Sequence, residues 1–495
     1  MIAGAVAERP GRNGGILASP AAQAAIFVLV ALALKATTFG DTNRSVDEMF
    51  YFLVAQRMHE GLVPYVDVWD RKPLGLFLIY YLIAGVSRSV VSYQIVACLF
   101  AAATALAICR LVAGWVGTRG GLFAGLAYLL VACTFVGVTG QAPDLYNPLI
   151  VSAALLIVRD MDALARGRVG WRVWTAMALC GLAITIKQTT AFEAAFFGLY
   201  VLYSLHRAGV PAGRMAAVAG LCMLIGAAPM LLIAGWYWQA GHWPEFWHAM
   251  VTSNFAKAAP GRKLFRLTAI LLYLALLLPF AAWGLSRTVA DRRARPFLLG
   301  WLAAALVGFL SVPNFFVHYT LPLLVPLCVA AGLLFGTHRR SLPLFVAFAL
   351  YANFWYNPLQ SEWTRASRAS MAHAARLIRQ HDSGGGLLLF DAPSYLYALT
   401  GERFLSPLAF PHHLSDALEN DVSHLDTHAE IDRILAGRPG VIVMARHPLI
   451  TPINLYSRAR VMAYARANCR IVDIVRIYDA AGKIPFVIFG DCARK

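Results

Sequence analysis

Apolar runs close to the length that crosses a bilayer recur from about residue 20 to residue 356. No soluble fold buries so many of them, and inside hydrocarbon a single run satisfies its backbone only as a helix. The runs fall at 20–39, 91–113, 121–139, 146–159, 173–187, 189–205, 215–237, 265–285, 297–313, 318–336 and 342–357, which predicts about eleven spans. Charged residues make up 14% of the chain and hydrophobic ones 59%, against about 25% charge in a soluble domain. The fold class is therefore mainly α, a polytopic transmembrane helical bundle. Juxtamembrane helices accompany it, and a small C-terminal α/β domain lies outside the membrane.

The net charge of +17 invites a nucleic-acid reading, but its placement argues against one. The arginines gather in alternate short loops: Arg9 and Arg12; Arg110 and Arg119; Arg159, Arg166, Arg168 and Arg172; Arg207 and Arg214; Arg287, Arg292, Arg293 and Arg295; Arg339 and Arg340. The turns around Asp144 and Asn314 have none. This is the positive-inside pattern. It predicts a cytoplasmic leader over 1–19, an uncleaved signal-anchor as first span, and a tail on the opposite side. Residues 73–86 are apolar but too short to span. Threading them across would invert every later loop, so they are expected to lie at the interface. Residues 40–90 then form one long external loop within a membrane region of 20–357.

The tail, 358–495, changes character. Gly384-Gly385-Gly386 precedes short apolar strands at 387–390, 440–444, 470–478 and 484–489, with helical stretches near 427–437 and 454–467. This reads as a small α/β domain. Asp479-Ala-Ala-Gly482 reads as a hairpin turn that sets Cys469 opposite Cys492. Outside the cytoplasm such a pair oxidises, so a disulfide is expected. The other six cysteines lie in or beside apolar runs, without zinc-site spacing, and read as small buried hydrophobes.

Polar groups collect on the outer side. After Asp47 the apolar spacing suits an amphipathic helix on the bilayer surface. Asp47 and Glu48 at its start read either as capping groups or, for the functional reading, as a general base beside a second acid. The same loop carries Tyr51, Asp67 and Asp70, then Arg71-Lys72-Pro73. The basic pair either reaches to lipid headgroups or holds a phosphate, Lys as point charge and Arg as fork. Asp144 follows in the second outer turn, as a helix cap or as part of an acidic site. Lys187 and Gln188 stand at an outer junction between runs, and ionisable groups at membrane depth are often functional. Glu193 lies deeper, with a packing role as its alternative. His318 and Tyr319 open a span from the outer side, as interface anchors or as donors to a phosphate. The rings between Trp236 and Trp247 read as an aromatic belt, followed by His248, Asn254, Lys257, Arg262 and Lys263.

Taken in order, these pieces resemble the C-type membrane glycosyltransferases, more narrowly the bacterial relatives of protein O-mannosyltransferases and of the lipid A aminoarabinose transferase. Asp47-Glu48-x-x-Tyr51, Lys72-Pro73 and Asp144 carry the resemblance. Lys187, Phe246-Trp247-His248 with Asn254, His318-Tyr319, and Tyr397-Ala-Leu-Thr-Gly-Glu-Arg403-Phe404 support it. Some relatives have an arginine just before the tyrosine, where this chain has Phe50.

The resemblance implies transfer of a sugar from a polyprenyl-phosphate donor to an acceptor hydroxyl on the extracytoplasmic face, with inversion. Asp47 would be the base, with Glu48 and Asp144 orienting acceptor or sugar. Lys72, with Arg71 or Lys187, would hold the donor phosphate, touched also by His318 and Tyr319. Tyr51, Asp67 and Asp70 would line the acceptor loop. Relatives often need no metal, and a divalent ion stays open as a cofactor. The implied partners are the lipid-linked donor, a glycan, lipid or protein acceptor, and membrane lipids. The implied location is a bacterial inner membrane. Two readings compete: a flippase of lipid-linked sugars, which favours inverted repeats and mid-membrane broken helices, and a non-catalytic partner with a degenerate site.

Overall fold

The computed structural model describes residues 17, 19–137, 140–256, 263–289, 291–356, 361–479 and 482–492. Arg9, Arg12, Thr139, Lys257, Arg262, and the hairpin residues Ala480 and Ala481 lie outside the described residues.

Each apolar run is built on helix. In chain order the helices are α1 (Pro20–Lys35), α2 (Val46–Met58), α3 (Leu74–Val86), α4 (Val90–Val116), α5 (Thr118–Thr134), α6 (Ala142–Ala165), α7 (Trp171–Ile186), α8 (Ala191–Arg207) and α9 (Ala212–Gln239). After the short α10 (Trp243–Trp247), a π turn at His248–Thr252 and α11 (Ser253–Ala256) come α12 (Lys263–Leu274), α13 (Leu278–Leu285), α14 (Ala294–Leu310), α15 (Leu321–Thr337) and α16 (Ser341–Trp355). A Gly117 φ of 87° lets α4 turn directly into α5.

Among the described residues, four stretches are long and apolar enough to cross a membrane by themselves: Pro20–Thr38, Val90–Val116, Ala212–Gln239 and Val317–Thr337. The pair α12 and α13 makes a fifth if it counts as one span bent by 63°. The count of about eleven is thus not reproduced by length and composition. Helices of 16 or 17 residues such as α7, α8 and α14 reach only about 25 Å, against about 30 Å of hydrocarbon. α15 is the hub of the bundle, buried at nearly every position from Leu321 to Phe335. At the rim, Met223, Leu224, Leu231 and Leu232 of α9 are 58–76% exposed. Such a contiguous apolar face belongs against lipid, and the chain is a membrane protein.

One expectation for the external loop changes. α2 does not lie on a surface with one wet side, since every residue from Glu48 to Gln56 is buried. The tail covers the side that would have faced water: Arg57 donates to the carbonyls of Glu402 at 2.5 Å and Tyr397 at 3.4 Å, and Phe410 packs edge-on against Phe50 with ring centres 5.0 Å apart. α3 has 13 residues, about 20 Å of rise. It buries Leu76, Phe77 and Tyr80 and leaves Leu78, Leu82 and Val86 as an exposed apolar stripe.

In the tail, α17 (Ser361–His381) is followed by β1 (Leu387–Phe390), α18 (Leu396–Thr400), α19 (Pro411–Ser415), α20 (Thr427–Ala436), β2 (Val441–Ala445), α21 (Leu455–Asn468), β3 (Arg470–Asp479) and β4 (Gly482–Gly490). The sheet order is β1-β2-β4-β3, with β1 parallel to β2 and both other pairs antiparallel. β1 and β2 are buried throughout, as continuous apolar strands must be. Asp426 and Asn454 cap α20 and α21 by accepting from Ala429 N–H and Ser457 N–H. Cys469 and Cys492 flank the β3–β4 hairpin and are joined as a disulfide.

Candidate active site

The site forms where the segment between α2 and α3 meets the starts of α8 and α15. Tyr65 adopts the left-handed region at φ 71°, a costly conformation for a tyrosine. Its N–H donates to Val68 O and its hydroxyl to Lys72 O, both at 2.7 Å. Asp70 Oδ1 accepts from Lys72 N–H at 3.0 Å. These bonds fix the backbone under Lys72. A second constraint comes from Gly75, where a Cβ would collide with Thr185 at the end of α7. The close approach brings α3 against α7, so Lys72 before one helix and Lys187 after the other share a face.

Lys72 Nζ stands 5.7 Å from the centre of the Tyr51 ring, and Lys187 Nζ stands 4.0 Å from that of Tyr319. His318 Nε2 lies 3.8 Å from Asp47 Oδ2 and stacks edge-on to Tyr319, ring centres 4.6 Å apart. Asp47 is not a cap: α2 starts from Ser45 with no side-chain cap bond, and Asp47 sits in the first turn with its carboxylate 23% exposed.

Burial pushes the Asp47 carboxyl up, but the fields of Lys72, His318, His412 and Lys187 outweigh it and leave Asp47 below its ordinary value. Burial also pushes Asp70 up, and there it prevails over Lys72. Lys72 feels burial as a loss of charge, yet Asp47 and Asp70 hold its proton more firmly than usual. Two carboxyls beside one lysine are thus driven apart, the arrangement that assigns roles to paired acids. The cations around Asp47 favour its ionised form, which can accept a proton.

The other residues singled out in the sequence divide. Glu48 is fully buried, in electrostatic contact with Tyr51, Tyr80 and Tyr93. Asp144 is 1% exposed in the first turn of α6 and faces the opposite charge of Lys35 at the end of α1. Both lie behind Asp47 rather than in the open site, bonded into the same frame: Gln141 donates to Ser45 Oγ at 3.2 Å and Tyr80 to Gly140 O at 2.6 Å. Arg71 is tied to the tail, its Nη2 donating to both oxygens of Glu419 at 2.6 Å, while its buried Nη1 has no hydrogen-bond partner. Asp67 is exposed and closes its own loop by accepting from Val63 N–H at 2.8 Å. Glu193 accepts from Trp301 Nε1 at 2.6 Å. The belt also divides. Tyr237 and Phe246 stack at 4.9 Å and cover Tyr65, while Trp236, Trp238 and Trp247 remain exposed. Asn254 donates to Gln188 at 3.2 Å beside Lys187.

Three residues enter that the sequence did not single out. His412 on α19 acts on Asp47 from the tail. Arg266 on α12 donates to Asn314 O at 2.9 Å and holds the turn that carries His318. Lys35 faces Asp144. Lys35 had a signal, a charge inside an apolar run; His412 had none, being brought in only by folding of the tail. A narrow cleft lined by Tyr146, Lys187, Glu193, Phe309, Tyr319 and Pro322 runs from the site between the helices. Among the described residues no group of three or more His, Cys, Asp or Glu is placed to hold a metal ion.

No protein-family model matches the chain, and no curated protein matches it in sequence. Solved structures do. ArnT from Cupriavidus metallidurans bound to undecaprenyl phosphate superposes with a TM-score of 0.63 at 14% identity, over 94% of this chain and 97% of that one. Its apo state gives 0.62 at 14% identity, over 95% and 98%. The archaeal oligosaccharyltransferase AglB from Archaeoglobus fulgidus, in complex with an inhibitory peptide and a dolichol-phosphate, gives 0.50 at 11% identity, over 86% and 69%. At such identities the likeness is one of fold, and the chain has the fold of the C-type glycosyltransferases.

Proposed function

We propose that this chain, folded as a C-type glycosyltransferase, transfers a sugar from a polyprenyl-phosphate donor to an acceptor hydroxyl with inversion at the anomeric carbon. The observation that carries the reading is the convergence of Asp47, held below its ordinary pKa, with Lys72, His318 and Lys187, the last of which lines a cleft between membrane helices. Undecaprenyl phosphate bound to ArnT and dolichol-phosphate bound to AglB support a lipid-linked donor.

The acceptor hydroxyl approaches Asp47, which takes its proton as the oxygen attacks the anomeric carbon. The bond from that carbon to the phosphate oxygen breaks, and the electron pair leaves with the polyprenyl phosphate. Lys72 and Lys187 offset the added negative charge, which makes them worth more in the transition state than in the ground state. Attack from the Asp47 side and departure towards the lysines invert the centre. Buried Glu48 and Asp144 hold the first turns of α2 and α6 in place. The alternating arginine loops support about eleven crossings, the shorter helices spanning in a bilayer thinned around the bundle. They also support a site on the extracytoplasmic face of a bacterial inner membrane.

Asp47→Asn tests the reading, because it removes the base with almost no change in volume. Sugar transfer is expected to fall about 10²–10⁴-fold with the melting temperature unchanged. Transfer at the wild-type rate would refute the role of Asp47, and movement of lipid-linked sugar across liposomes without cleavage would make the protein a flippase.

A further inference from the structure

A second polar hollow lies away from Asp47, between the segment that follows α1 and the face of α17. It measures about 450 Å³ and is lined by Thr42, Arg365, Arg368, Ala369, Ala372 and Leu399. Arg365 and Arg368, three residues apart on one helix, present neighbouring guanidiniums. Among the described residues neither makes an ion pair or a hydrogen bond. The nearby carboxylate, Asp41, is engaged elsewhere: it accepts from Ser367 Oγ at 2.5 Å and from Asn43 N–H at 3.0 Å. Gly40, at φ 79°, lies beside the Arg368 guanidinium.

A run of charge on a helix is ordinarily a solvated face, and two observations set this one apart. The Thr42 hydroxyl in the wall of the hollow is buried without a hydrogen-bond partner, a condition folded proteins seldom leave unmet. The arginines also stand over an apolar floor of Ala369, Ala372 and Leu399. Guanidinium forks match phosphate oxygens, a hydroxyl completes such a site, and an apolar floor suits hydrocarbon. The position agrees, since Thr42 comes soon after the first span in the chain and α17 is the next helix after α16.

We propose that this hollow binds the phosphate of a phosphate-bearing amphiphile, with Arg365 and Arg368 on its oxygens, Thr42 donating to it, and the start of the hydrocarbon chain over Leu399. The site is separate from the donor lysines and does not depend on the transferase reading.

Calorimetric titration of the full chain in maltoside detergent tests it, with dihexanoyl phosphatidic acid in one arm and inorganic phosphate in the other. Wild type is expected to bind the lipid about tenfold more tightly than phosphate, because the apolar floor contributes only to the lipid. Arg365→Gln/Arg368→Gln is expected to weaken lipid binding at least about tenfold, while Lys72→Met leaves it unchanged. Thr42→Val, which keeps shape and charge, gives a smaller loss in the same direction and carries the comparison if the double variant fails to fold. Phosphate binding as tightly as the lipid would make free phosphate the ligand and overturn the amphiphile. Equal lipid affinity in wild type and variants, or loss of binding in Lys72→Met alone, would overturn the site.

Discussion

Arg71 donates from one nitrogen to both carboxylate oxygens of Glu419 at 2.6 Å, so the residue next to the site lysine is clamped by the tail. Both partners are largely buried, with side chains 17% and 10% exposed. Leaving one charge of such a pair uncompensated is costly, about 3–5 kcal/mol when burial is complete, and the residual exposure here lowers the figure to about 2–3 kcal/mol. Glu419→Gln is therefore expected to lower the melting temperature and to expose the tail to limited proteolysis. In a double-mutant cycle with Arg71→Ala, the coupling should exceed about 1 kcal/mol. A coupling near zero would mean that the clamp holds nothing.

The acid limb of transfer should respond to Lys72. The folded carboxyl of Asp47 lies below its ordinary value of 3.8, so base activity is present above that range and lost only as pH falls through the depressed pKa. Lys72 is the largest opposing influence on the burial of Asp47. With Lys72→Met, burial prevails and the carboxyl rises. The residual kcat/KM, which reports the free enzyme, should then lose activity at a higher pH than wild type. An unmoved acid limb would dissociate the two residues.

His412 on α19 acts electrostatically on Asp47, with its helix placed by the contact of Phe410 with Phe50. His412→Ala is expected to lower kcat about threefold to thirtyfold with little change in the donor KM, since the residue acts on the base and not on the phosphate. A change confined to KM would place it with the donor instead.

The Cys469–Cys492 bridge closes a separation of 23 residues. In the loop-entropy account such a crosslink is worth about 3 kcal/mol. Cys469→Ser/Cys492→Ser should lower the melting temperature of the tail while α1–α16 keep their helicity. Mass analysis of alkylated wild type should find both cysteines unmodified, and two reactive thiols there would contradict the bridge.

Much of the site was legible because its residues sit at joints between apolar runs. A charge at such a joint is unusual enough to notice, which is why Asp47, Lys72, Lys187 and His318 could be named from the chain alone. Glu48, Asp144 and Arg71 carry the same signal, yet nothing in a linear pattern tells a carboxylate that faces the site from one sealed behind it. The sheet strands were legible because buried strands read as continuous apolar stretches bounded by glycine and charge.

Helix type, strand type and the order of the runs follow from sequence alone, because apolar length and period act within a few turns of the chain. Which face of α2 is covered, where Arg71 turns and that His412 belongs beside Asp47 were decided by tertiary structure. These depend on contacts between residues more than 300 positions apart, such as Arg57 with Glu402 and Arg71 with Glu419, which no local pattern encodes.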